Sequence, residues 1–211
     1  MTEVAGPVGA ALGLAVASGL SLYGAVFVSG LAIRLGWIHL APSWGALSVL
    51  ADPVVLGVSG VLFAVEFLAD KIPVVDSLWD TVHTVIRPIG GALLASRALG
   101  ELSPVAEVLA LLLLGGATLA THAAKATTRL AVNTSPEPVS NILVSLTENG
   151  LLAGAVWLAL AHPLVALGAG VVAVAVSILL TVWLARHAIG VLRRPRPGRA
   201  AGPPRNVAGV A

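Results

Sequence analysis

Four stretches of this chain set ionisable side chains at helical spacing inside otherwise apolar sequence. Glu66 and Asp70 lie four residues apart and are followed by Lys71. Asp76, Asp80, His83 and Arg87 fall at i, i+4, i+7 and i+11, one continuous stripe of a helix. Thr118, His122, Lys125 and Arg129 repeat that spacing, and Asn141, Ser145 and Glu148 fall at i, i+4 and i+7. Carboxylates so placed can relay protons or bind cations. Lys71, Arg87, Lys125 and Arg129 can supply counter-charge or hold an anionic group such as a lipid phosphate.

A plainer chemistry fits the same residues. Five acids (Glu66, Asp70, Asp76, Asp80, Glu148) face four bases (Lys71, Arg87, Lys125, Arg129), the near-balance that internal salt bridges produce. His83 and His122 read as hydrogen-bonding residues rather than metal ligands, since the adjacent cations argue against a multivalent cation cage. No metal and no cofactor is expected. Asp76 and Asp80 could form a catalytic pair, but no Ser/His/Asp order, P-loop or zincin motif accompanies them. The chain has no cysteine, which excludes thiolate ligands and thiol nucleophiles. Ser77 and Asp80 also fit a capping box opening the third span.

The elements that carry these stripes belong in a membrane. Of 211 residues, 57% are hydrophobic and 10% charged, with a mean hydropathy of +0.97. Soluble domains carry about 25% charged residues. A soluble enzyme, a disordered chain and a nucleic-acid binder are therefore excluded, and the first partner is the lipid bilayer. A spanning helix needs about 20 mainly apolar residues. Six candidates follow: roughly residues 8–33, 52–70, 74–99, 104–133, 138–161 and 163–192. Asp52-Pro53 and Ser103-Pro104 are cap-plus-proline starts. His162-Pro163 splits the uncharged run of residues 149–185 into a tight hairpin. Residues 74–99 alternatively form an interfacial helix with a re-entrant piece after Pro88, which would leave five spans.

The expected fold is an all-α polytopic transmembrane bundle over residues 1–192, dividing as 3+3 at Gly100–Ser103. An inverted repeat would suit that division, although the residues show no convincing internal copy. Residues 193–211 form a basic, Pro/Gly-rich tail, expected to be disordered and cytoplasmic by the positive-inside rule. Six of the 12 lysines and arginines lie between Arg186 and Arg205. Anionic lipid headgroups are candidate partners of that tail. The N-terminus is then cytoplasmic too, in a bacterial inner membrane. Gly9 and Gly13 read as close helix packing rather than a dimerisation motif, and an oligomer stays open. Trp37, Trp44 and Trp183 read as interfacial anchors.

The string from Glu66 through Asp70-Lys71-Ile72-Pro73 to Asp76-Ser77-Leu78-Trp79-Asp80, with His83-Thr84 and Arg87-Pro88, resembles the signature of an uncharacterised bacterial membrane family. So does the second string: His122, Lys125, Arg129, Asn133, Ser135-Pro136-Glu137-Pro138 and Ser140-Asn141. The family is domain-of-unknown-function family 4126. The resemblance runs to about residue 192 and implies a membrane protein but no reaction.

The residues thus point to a transporter or channel-like protein moving a small ion or a polar or anionic solute through a cytoplasm-facing polar cavity, with Glu148 as its deepest member. The alternative is an assembly protein whose buried charges only staple the bundle. An intramembrane lipid-modifying enzyme is the least supported reading.

Overall fold

Every described element is helical in the computed structural model of the protein, which describes residues 2–133 and 138–192. In chain order these are α1 (Thr2–Leu20), α2 (Leu22–Arg34), a 3₁₀ segment (Pro42–Ala51), α3 (Pro53–Ala69), α4 (Pro73–Ser96), a short 3₁₀ turn (Arg97–Leu99), α5 (Pro104–Asn133), α6 (Pro138–Ala161) and α7 (Pro163–Leu192). The basic tail and Ser135-Pro136-Glu137 lie outside the described residues.

Prolines open most of these helices, since a missing N–H costs nothing in a first turn. Asp52 caps α3 as its position suggests, accepting from the amides of Val54 at 2.8 Å and Val55 at 3.4 Å. Ser77 does not cap α4. The helix has already started at Pro73, and the Ser77 hydroxyl donates back to the Pro73 carbonyl at 3.0 Å. Pro88 sits inside α4 without ending it, so residues 73–96 form one helix with no break after Pro88.

The first span departs most from expectation. It is two helices, because Ser21 leaves helical geometry at φ −155°, ψ 114° and caps α2 through the amide of Gly24 at 2.9 Å. By length and composition, α5, α6 and α7 can each cross a bilayer. The 3₁₀ segment and α3, bent by 71° to each other, make a fourth if taken as one span. Several apolar helices of this kind make a membrane-embedded protein; the further spans of the six rest on the broken α1–α2 and the charged α4.

Polarity is arranged inside out relative to a soluble protein. Val54 (72% exposed), Leu68 (63%) and Leu113 (74%) face outward, while Glu66, Arg87 and Arg129 are at most 1% exposed. Helix α1 is central, packing against α4, α5, α6 and α7. Trp37 and Trp183 are exposed as anchors require, but Trp44 is buried among the apolar core residues, because the 3₁₀ segment folds back onto α2.

Close approach depends on glycine at α1. A Cβ on Gly9 would fall 1.9 Å from the Pro163 carbonyl oxygen, and one on Gly13 would fall 2.7 Å from the Ala159 side chain. The pair therefore seats α1 on the α6–α7 hairpin, as packing within one chain. Gly9→Val should destabilise the bundle by about 1–3 kcal/mol, the usual cost of overpacking. A thermal-unfolding series in detergent checks this; an unchanged midpoint would contradict the close packing.

Candidate functional site

The four polar stripes meet. Glu66 from α3, Asp80 and Arg87 from α4, Lys125 and Arg129 from α5, and Glu148 from α6 join Asp70, the residue closing α3, in seven ion pairs. Isolated charges this deep would cost several kcal/mol each, so facing and pairing is the only stable arrangement.

Three cations organise the network, each differently. Arg87 lies 2.5 Å from Glu66 Oε1 and 3.2 Å from Asp80 Oδ1, and donates to His122 Nδ1 at 2.6 Å. Arg129 grips Glu148 with two nitrogens: Nε stands 3.1 and 3.0 Å from the two carboxylate oxygens, and Nη2 stands 2.8 Å from Oε2. Its Nη1 donates to the Asp70 carbonyl at 3.0 Å and to Asn141 Oδ1 at 2.6 Å. Lys125 has no such close carboxylate. Its ammonium hangs 3.7, 3.5 and 3.7 Å from Glu66, Asp70 and Glu148, and its shortest hydrogen bond is to the Leu20 carbonyl at 3.0 Å.

Leu20 and Gly19 end α1, so the break at Ser21 feeds the site directly. Carbonyls that an unbroken helix would use internally are free to accept from Lys125 and, at 3.4 Å, from Arg87. The Ser21 hydroxyl donates to Glu66 Oε2 at 2.6 Å. The amino end of α2, where the helix dipole is positive, thus opens beside a buried carboxylate.

The remaining expected residues form a rim. Asp76 accepts from Asn133 Nδ2 at 2.8 Å. His83 donates from Nδ1 to the Trp79 carbonyl at 2.8 Å, which leaves Nε2 to accept from the Tyr23 hydroxyl at 3.2 Å. Its ring stacks on Trp79 at 4.4 Å, and Tyr23 meets both rings edge-on. Lys71 is only partly buried. It donates to the Phe67 carbonyl at 2.8 Å and reaches Ser145 at 3.4 Å. His122 accepts at Nδ1 from a permanently charged guanidinium, so its proton sits on Nε2, facing the Asp80 carbonyl at 3.2 Å and Thr84 at 3.1 Å.

Spacing alone missed Ser21, Tyr23 and Thr84. Ser21 and Tyr23 stand in an apolar run without proline, and the carboxylate that Ser21 meets belongs to a distant helix. Thr84 lies one residue off the α4 stripe, and a hydroxyl in a helix normally returns to its own backbone.

A model of the domain of unknown function DUF4126 matches residues 8–187. The chain belongs to the DUF4126 family. No curated protein and no solved structure matches it. The match covers α1 to most of α7, so every member of this charge network lies inside the DUF4126 domain.

What this DUF4126 site can do follows from its inventory. Its ion pairs join four carboxylates to three cations. Among the described residues, Asp70 Oδ1, Asp76 Oδ1 and both Asp80 carboxylate oxygens are buried without a hydrogen-bond donor. No group of three His, Asp or Glu side chains suited to a metal ion occurs among the described residues. Two voids lined by described residues lie around this network. One of about 380 Å³ among α1, α6 and α7 is lined chiefly by small apolar residues. One of about 250 Å³, lined by hydroxyls and by Ala126 and Leu130, reaches the network at Asp80 and Arg129.

Proposed function

We propose that this protein passes a small cation, the proton included, across a bacterial inner membrane through the network at the α1–α2 break. The termini are cytoplasmic in this reading, and the α3–α4 and α5–α6 connections face inward. The observation that carries it is Lys125, held loosely by three carboxylates at 3.5–3.7 Å while Arg87 and Arg129 are gripped closely. An ammonium on a flexible stem is a tethered cation. A proton or cation arriving on Glu66, Asp70 or Glu148 competes with it, and Lys125 swings to the remaining partners. The excess carboxylate gives the incoming charge a place, and the freed carbonyls at the broken span supply further oxygen ligands, as in discontinuous transporter helices.

The staple reading also has an observation in its favour: every central arginine is bidentate or multiply bonded. Vesicles separate the two. Reconstituted protein should dissipate an imposed pH or Na⁺ gradient faster than empty vesicles, and Glu148→Gln should reduce that rate at least tenfold with an unchanged unfolding midpoint. No flux above empty vesicles, or a Glu148→Gln variant that loses stability and keeps its flux, would return the network to a structural role.

A further inference from the structure

The void beside Asp80 is one half of a longer groove. Its polar lining is Ser77, Asp80, Thr81, Thr84 and Thr127, with Arg129 at its inner wall, and Ala126 and Leu130 give it an apolar side. A second void of about 360 Å³ shares Ser77 and Leu130 with it and continues to Pro73 and Asn133. Together they follow α4 from its first residue to Thr84, a length of about 16 Å at 1.5 Å per residue. The groove begins at the helix ends beside the α3–α4 turn and stops at a buried carboxylate.

Its chemistry is one-sided. Each lining hydroxyl has given its proton to its own helix: Ser77 to Pro73, Thr81 to Ser77, Thr84 to Asp80 and Thr127 to Ala123. What these hydroxyls have left to offer is oxygen lone pairs, one of which on Thr84 already faces the His122 Nε2 proton at 3.1 Å and one of which on Ser77 faces Asn133 Nδ2 at 3.3 Å. Asp80 is 4% exposed, and neither carboxylate oxygen receives a hydrogen bond among the described residues; Oδ2 has no ion-pair partner either. Asp76 Oδ1 and Asn133 Oδ1, near the outer end, are likewise buried and unpartnered. The Arg129 donors are turned away, committed to Glu148, Asp70 and Asn141. An anion entering here meets no free donor, whereas a cation meets hydroxyl oxygens and, at the inner end, the Asp80 carboxylate, set between apolar walls at Leu78, Ala126 and Leu130.

We infer that the groove between the first half of α4 and the second half of α5 is an aqueous, cation-selective path that ends on the Asp80 carboxylate. Its ligand class is a monovalent cation small enough to shed water onto hydroxyl oxygens and one carboxylate. Arg87, 3.2 Å from Asp80 Oδ1, is the fixed counter-charge, and it links the path to Glu66 and the centre. The purpose of the path rests on the cation-transfer reading above, but its existence can be tested without any transport.

The natural chain lacks cysteine, so single thiols report cleanly. Thr81→Cys and Thr84→Cys, in the full chain in lipid nanodiscs, would be reacted with a trimethylammonium thiosulfonate and with its sulfonate counterpart. Both rates are divided by those of a free thiol. The cationic reagent should react at least tenfold faster at both positions, and adding Asp80→Asn should bring the ratio near one. Val85→Cys, exposed on the same helix but outside the groove, should resist both reagents. Unreactive thiols at Thr81 and Thr84 would mean that lipid fills the groove, and equal rates would mean that it carries no charge preference; either overturns the inference. If Asp80→Asn does not fold, the ratio at Thr81→Cys alone decides. Charge-selective labelling in a protein that passes no cation in vesicles would keep the path and remove the transport reading.

Discussion

Arg129→Met should destabilise the bundle by about 3–5 kcal/mol, the cost of leaving buried charge uncompensated. Arg129 is 1% exposed and serves Glu148, Asp70 and Asn141 together, so its loss leaves two buried carboxylates to Lys125 alone, which Glu66 also shares. The measurement is thermal unfolding in detergent beside the unaltered protein. Adding Glu148→Gln to Arg129→Met should recover a substantial part of the loss, because the neutral amide no longer needs a guanidinium. Single and double variants form a cycle whose coupling reports the pair itself. An Arg129→Met variant as stable as the parent would mean that the network is not closed as described.

Glu66 should respond differently to two substitutions. Its Oε1 faces both Arg87 and Lys125, and its Oε2 accepts from Ser21. Glu66→Leu removes the charge and every acceptor, exposing two cations to each other; a loss of about 3–5 kcal/mol is expected. Glu66→Gln keeps an oxygen for Arg87 and leaves three carboxylates against three cations, so its stability should stay within about 1 kcal/mol of the parent. Flux through vesicles should nevertheless fall at least tenfold in Glu66→Gln, since the surplus negative charge has gone. If the two variants unfold alike, the hydrogen bonds at Glu66 do not matter in the manner described. If Glu66→Gln keeps full flux, the charge surplus is not what draws the cation.

How much of this could be read beforehand depends on the reach of the interaction. The α4 and α5 stripes were legible because charge in apolar sequence stands out and its period is that of a single helix. The starts at Pro53, Pro104 and Pro163 were legible because proline acts within its own turn. Pairing across helices was not. Nothing in the spacing says that Arg129 takes Glu148 while Lys125 is shared three ways, or that His83 belongs to an aromatic layer with Tyr23 and Trp79. The break at Ser21 was hidden for the same reason: the carboxylate that its hydroxyl meets, Glu66, is 45 residues away. Trp44 misled because indole suits both an interface and a core, and only the fold-back of the 3₁₀ segment decides between them. The groove at Asp80 depends on which hydroxyl protons are already spent, which is a property of rotamers rather than of residue order.

The composition of α4 has a consequence for biogenesis. A translocon releases a segment sideways into lipid only if the segment tolerates lipid by itself, and Asp76, Asp80 and Arg87 on one helix each count against that by about 2.5–3.5 kcal/mol if centrally placed. Glu66 on α3 is already made and can pair with Arg87, but Asn133 and His122, which serve Asp76 and Arg87, lie on α5 and emerge from the ribosome later. The nascent α4 must therefore wait, at the protein-lined exit or at the headgroup layer, until α5 arrives. Integration of the first four helices is thus tied to synthesis of the fifth, and a chain halted before Pro104 should be extracted from the membrane by carbonate, whereas one carried past Ala161 should resist it.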